Sequence, residues 1–93
     1  MAAASMSRLS HVCVDCGVDT FVIGEWYMVQ NALWKQAWEG RPRPRREILC
    51  IGCFEQRIGR WLVASDFQAA PLNDPADPAI SPLMRDRLTR ECC

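Results

Sequence analysis

The chain has 93 residues, enough for one small domain. Its 11 basic and 11 acidic side chains give a formal net charge of +0, which argues against a generic polyanion binder. Apolar residues make up 49%, too many for a fully disordered chain, and no apolar run approaches the length of a membrane span.

Residues 1–10 read as a mobile leader. They lack the sustained apolar stretch of a secretion signal, so the expected location is cytoplasmic. Cys13-Val14-Asp15-Cys16 follows, and Gly17 just behind it permits the positive φ that such a turn commonly needs. Thr20 to Val29 is rich in β-branched and aromatic residues and is interrupted by Gly24, which predicts two short strands, a β-hairpin. Asn31 is a good N-cap for a helix over Ala32 to Glu39, with Gly40 as its stop.

Arg41-Pro42-Arg43-Pro44-Arg45-Arg46 breaks regular structure, because alternating proline enforces an extended path. Glu47 to Leu49 reads as a brief strand entering Cys50-Ile51-Gly52-Cys53. Beyond it Phe54, Ile58, Trp61 and Leu62 fall on one helical face, which predicts a helix running to about Ala64 with Gly59 inside it. Ser65-Asp66 starts a turn into Phe67. Residues 71–93 read as a proline-rich tail in which Ser81 caps a short terminal helix, Pro82 occupies its first turn, and Ile80, Met84 and Leu88 make a thin apolar stripe.

Two Cys-x-x-Cys pairs of equal spacing carry the chemistry. Each supplies two thiolates from one tight turn, and Cys13, Cys16, Cys50 and Cys53 together close a tetrahedron around one structural zinc ion. Paired spacing without a secretion signal favours reduced, metal-bound cysteines over disulfides. Such an ion contributes about 10–16 kcal/mol of apparent binding energy, as much as a typical domain's whole stability. Four thiolates around a divalent cation leave two negative charges in excess. Amide donors at a helix start offset that charge, and Arg57 and Arg60 either add to the positive field or face water.

Thirty-three residues separate Cys16 from Cys50, room for a hairpin and a helix. Knuckle, hairpin, then a second knuckle opening a helix resembles the treble-clef class of zinc folds. The predicted architecture is therefore a small α+β zinc-binding domain over residues 11–70 with two zinc knuckles, a short β-hairpin and two to three helices. The combination of Cys13–Thr20, Glu25–Val29, Leu49–Arg60 and Asp66–Phe67 also resembles small zinc-ribbon-like proteins of bacteria and their phages. That resemblance implies a metal site and brings no particular activity with it.

The remaining candidates lie outside the cysteines. His11, the only histidine, reads as a solvated residue rather than a ligand. Glu25, Glu55 and Asp66 read as solvated charges and helix caps rather than an acid cluster. Cys92 and Cys93 read as exposed thiols. Arg41, Arg43, Arg45 and Arg46 form the densest positive patch, with Lys35 and Trp34 nearby, and are the expected partner-binding residues. The four tryptophans are too many for a core this small, and one left exposed would mark an interface. A closed four-thiolate site has no open coordination position for a substrate. The reading is a non-catalytic structural-zinc module that binds a protein or a nucleic acid. The alternatives are a small nuclease-like enzyme and a thiol-based redox or metal sensor.

Overall fold

The computed structural model describes residues 11–43 and 47–91. Three α-helices punctuate it: α1 (Asn31–Ala37), α2 (Ile51–Ile58) and α3 (Pro82–Thr89), with a 3-10 turn over Ala64–Asp66 between the last two. The expected leader, Arg45, Arg46, Cys92 and Cys93 lie outside the described residues.

No strand forms among the described residues, so the hairpin expected over Thr20 to Val29 is not there; only two isolated antiparallel bridges occur, Val12 with Asp19 and Val29 with Phe67. The reason lies in where the backbone finds its partners. The Asp19 carboxylate accepts the amides of Phe21 and Val22 at 3.0 and 3.3 Å, which bends the chain at once into a turn. Further on, the Asn73 side-chain amide stands in for a neighbouring strand: its Oδ1 accepts the Met28 amide at 3.0 Å and its Nδ2 donates to the Met28 carbonyl at 2.8 Å. The Gln68 amide donates to the same carbonyl at 2.9 Å. β-Branched side chains favour extended backbone, and the backbone over Glu25–Met28 lies outside any helix or ladder, but partners drawn from residues 66–73 leave no hairpin to close.

α1 begins at Asn31, one residue earlier than expected, and Gln30 rather than Asn31 stands at its N-cap. α2 ends at Ile58, six residues before the expected stop. Gly59 is its left-handed cap, with φ +78° and its amide on the Glu55 carbonyl at 2.8 Å, rather than an interior glycine. The chain therefore leaves the helical path before Trp61. Leu62 is buried and Trp61 is 58% exposed, although both share the helical face drawn from the sequence.

α3 starts where its signals place it: Ser81 Oγ accepts the Met84 amide at 3.0 Å and Pro82 follows. The stretch from residue 71 onward is packed rather than trailing, since Ile80 and Met84 join the core of Leu33, Leu49, Ile51, Phe54 and Leu62. Two carboxylates expected to be solvated charges or helix caps are buried, one of them as a cap, and hold this arrangement. Glu25 accepts the Ile51 amide at the start of α2 at 2.9 Å and the Ser81 hydroxyl at 3.3 Å, so one side chain links the N-termini of α2 and α3. Glu55 accepts Nε of Arg87 at 2.7 Å and the Leu62 amide at 2.8 Å. Both members of the Glu55–Arg87 pair are 8% exposed at the side chain, and together they pin α3 against α2.

Candidate metal centre

The first cysteine pair sits on a tight turn closed by its own backbone. The Cys13 amide donates to the Val18 carbonyl at 2.8 Å, and the Gly17 amide returns to the Cys13 carbonyl at 2.9 Å. Gly17 takes φ +80°, as the sequence requires of a residue that must turn the chain sharply. The Val14 amide reaches the Ile48 carbonyl at 2.8 Å, which docks this turn on the segment leading into the second pair. There Cys50 is the N-cap of α2 and Cys53 lies in its first turn. Tyr27, half-buried against Phe54, donates its hydroxyl to the Leu49 carbonyl at 2.7 Å and fixes the approach to Cys50.

These two arrangements bring one sulfur from each of Cys13, Cys16, Cys50 and Cys53 within 4.8 Å of one another. The Cys16 and Cys50 sulfurs stand 3.7 Å apart. A disulfide would place them about 2.05 Å apart, and all four cysteines are free. Metal–sulfur bonds of about 2.3 Å in a tetrahedron give edges of about 3.8 Å. The four sulfurs have the spacing and the chemistry to hold one thiophilic, tetrahedral cation.

The surroundings favour anionic sulfur unevenly. Burial opposes ionisation of Cys13, but the amides of Cys50, Cys16 and Asp15 point at its sulfur and bring the thiol down to about 7. Burial pushes the Cys50 thiol up to about 11 and the Cys53 thiol higher still, the neighbouring cysteines adding to the effect in Cys53. A divalent cation removes this conflict by supplying the positive charge that four crowded sulfurs lack.

Arg57 supplies further positive charge. It lies on α2, its guanidinium grips the Asp15 carboxylate in the first cysteine turn at 2.8 and 2.6 Å, and its Nη1 donates to the Ala37 carbonyl at the end of α1 at 3.1 Å. The same group lies 4.4 Å over the Trp38 ring. One side chain thus ties the first cysteine turn, α1 and α2 together beside the sulfurs. Arg60 turns away, to the Asp66 carboxylate at 2.8 and 2.9 Å.

The other sequence candidates are dispersed. His11 lies outside the cysteine group and packs its ring 5.2 Å from that of Phe21. Glu25, Glu55 and Asp66 each serve a different partner. Trp34, Lys35 and Arg43 line one open groove along α1, where Glu47 accepts the Trp34 indole N–H at 2.9 Å and pairs with Arg43 at 3.4 Å. Arg41 lines a separate hollow with Asp15 and Arg57. The sequence reading missed Asp15 and the buried roles of Glu25, Glu55 and Arg87. The signal for Asp15 was its position inside the first cysteine turn; the others had none, since a buried pair from distant segments leaves no local pattern.

Among the described residues no helix is long and apolar enough to cross a membrane. No protein-family model, curated protein or solved structure matches the chain.

Proposed function

We propose that the chain is a structural-zinc module of treble-clef type that docks a macromolecular partner and catalyses no reaction of its own. The convergence of four thiol sulfurs within 4.8 Å carries this reading. Zinc is the cation of choice because four thiolates in a tetrahedron are its common structural set, and a fully occupied tetrahedron leaves no position for substrate or water. A tight cysteine turn plus a second pair opening a helix supports the treble-clef reading, with the Asn73 side chain bonding Met28 where the hairpin partner would lie. The likeness to zinc-ribbon-like proteins of bacteria and phages supports the same metal and architecture. Persistently reduced thiolates call for a reducing compartment, the cytoplasm.

The docking surface is the groove along α1 lined by Trp34, Lys35 and Arg43. Glu39 also lines it and Glu47 already neutralises Arg43, so its charge is mixed. Mixed charge suits a protein segment better than a phosphate backbone. Elemental analysis of protein purified without added metal tests the first half, with one zinc per chain as the expected value and a metal-free folded chain as the refutation. Titration with single-stranded DNA and RNA at 50 and 200 mM salt tests the second. Tight binding that weakens steeply with salt and is lost in Lys35→Ala with Arg43→Ala would replace the protein partner by a nucleic acid.

A further inference from the structure

Phe21 and Val22 form the tip of the turn held by Asp19, and they are 61% and 76% exposed. The turn itself needs no apolar side chain there, and although the Phe21 ring rests on His11 and Trp26, most of it faces outward. The turn is fixed by hydrogen bonds to the Asp19 carboxylate and by backbone bonds from Ile23 to Asp19 and from Gly24 to Phe21, none of which uses either side chain. Two large apolar side chains left exposed on a hydrogen-bonded turn are the mark of a protein interface.

A hollow lies beside this tip. It measures about 170 Å³, and its walls set His11, Trp26, Tyr27 and Leu72 beside the carboxylates of Glu25 and Glu47. A cavity of about 150 Å³ is large enough for benzene, so this one has the volume for a phenyl ring. Knob and hollow share one face, because the Phe21 ring packs 5.2 Å from His11 and 5.5 Å from Trp26, both of which wall the hollow. That adjacency is what a two-fold axis needs: the knob of one copy enters the hollow of the other, and the reverse happens at the same interface.

Charge points to the same occupant. Between His11 and Trp34 the chain contains no Lys or Arg, and Arg43, which reaches Glu47 on the wall of the hollow, is paired there, so the face is a poor match for an anionic lipid surface or a phosphate backbone. Its acidic groups are already engaged: Asp19 holds two amides, Glu25 caps α2, Asp15 is paired with Arg57, and Glu47 holds the Trp34 indole and Arg43. Two copies brought together on this face therefore set no unpaired like charges against each other.

We propose that the protein pairs with a second copy of itself through this face, each Phe21 seated in its partner's hollow. The proposal uses neither the metal nor the α1 groove. Sedimentation velocity of the full, metal-loaded chain tests it. The expected species is a dimer of 10.6 kDa chains that dissociates on dilution. Phe21→Ser should weaken association by at least about thirtyfold, leaving far-ultraviolet circular dichroism and metal content unchanged, whereas Trp61→Ser, at another exposed apolar position, should leave the dimer intact. A photoreactive benzoylphenylalanine at position 21 should crosslink to a peptide containing Trp26 or Leu72 of the second copy. A chain that stays monomeric at every concentration, a dimer indifferent to Phe21→Ser, or a crosslink elsewhere would overturn the assignment.

Discussion

The Arg57 guanidinium holds the Asp15 carboxylate through two hydrogen bonds, 2.6 and 2.8 Å long, across 42 residues of sequence. Asp15 stands between the two cysteines of the first pair, and Arg57 sits one turn beyond the second pair on α2. The bond therefore joins the two halves of the cysteine cluster from outside the sulfurs. Arg57 also donates to the last carbonyl of α1 and covers Trp38, so its removal affects three elements. Arg57→Met should cost about 2–3 kcal/mol and weaken metal retention by about 10–100-fold. Urea denaturation and competition with a chromogenic chelator measure the two effects. Arg57→Lys should not rescue them, because an ammonium group cannot make the two-pronged contact or the flat stack.

The same bond sets a pH dependence. The hydrogen bond from Arg57 holds the Asp15 carboxyl below its ordinary value despite some desolvation, and Arg60 does the same for Asp66. A depressed folded-state value means that the unfolded chain binds protons first as pH falls. The stabilisation is complete above the unfolded value of about 3.9 and is lost as pH drops through the lower folded values. Carboxyl carbon shifts in an NMR titration should place Asp15 below 3.8, the ordinary value, and Arg57→Met should return it there.

Glu55 and Arg87 make the second long-range tie, and here burial raises the stakes. Arg87→Ala leaves a buried carboxylate with only the Leu62 amide as partner, which should cost about 3–5 kcal/mol. The double change Glu55→Gln with Arg87→Met removes both charges, keeps an acceptor for the Leu62 amide, and should recover most of that loss. Chemical denaturation of Glu55→Gln, Arg87→Met and the double variant gives the coupling directly.

Two glycines with similar backbone angles should respond differently to alanine. Gly24 has φ +75°, and a Cβ there would come within 2.4 Å of the Ala79 carbonyl oxygen. Gly59 has φ +78° with nothing within 4 Å. Gly59→Ala should cost about 1–2 kcal/mol, the left-handed strain alone. Gly24→Ala should cost about 3 kcal/mol or more, because the segment before α3 must also move. Equal denaturation midpoints for the two variants would show that residues 79–81 do not press on Gly24.

The contrast between the cysteines and the hairpin shows what could be read from the chain. Cys13, Cys16, Cys50 and Cys53 were legible because a local turn sets each pair, and the seat of the second pair on a helix followed from the apolar spacing of Phe54 and Ile58. Ser81 and Pro82 placed α3 for the same reason, since a cap is a local interaction. The hairpin failed because strand propensity states only that a segment is extended. Whether a ladder forms depends on what lies beside it, and beside Met28 lies the side chain of Asn73. Gly59 was legible in kind and misread in place: a glycine followed by arginine marks a helix end as readily as an interior contact, and its left-handed φ decided the matter. The burial of Glu25, Glu55 and Arg87 follows from segments meeting across tens of residues, which no window of sequence displays.

Removing the metal tests the central claim most directly. A structural tetrathiolate ion contributes about 10–16 kcal/mol, as much as the full stability of a small domain, so stripping it under reducing conditions should abolish the fold. Near-ultraviolet circular dichroism of the tryptophans, followed through chelation and return of one equivalent of zinc, should collapse and then recover. Cys13→Ser and Cys50→Ser should behave like the stripped protein without any chelator. A chain that keeps its near-ultraviolet spectrum and a cooperative thermal transition after complete metal removal would contradict the account.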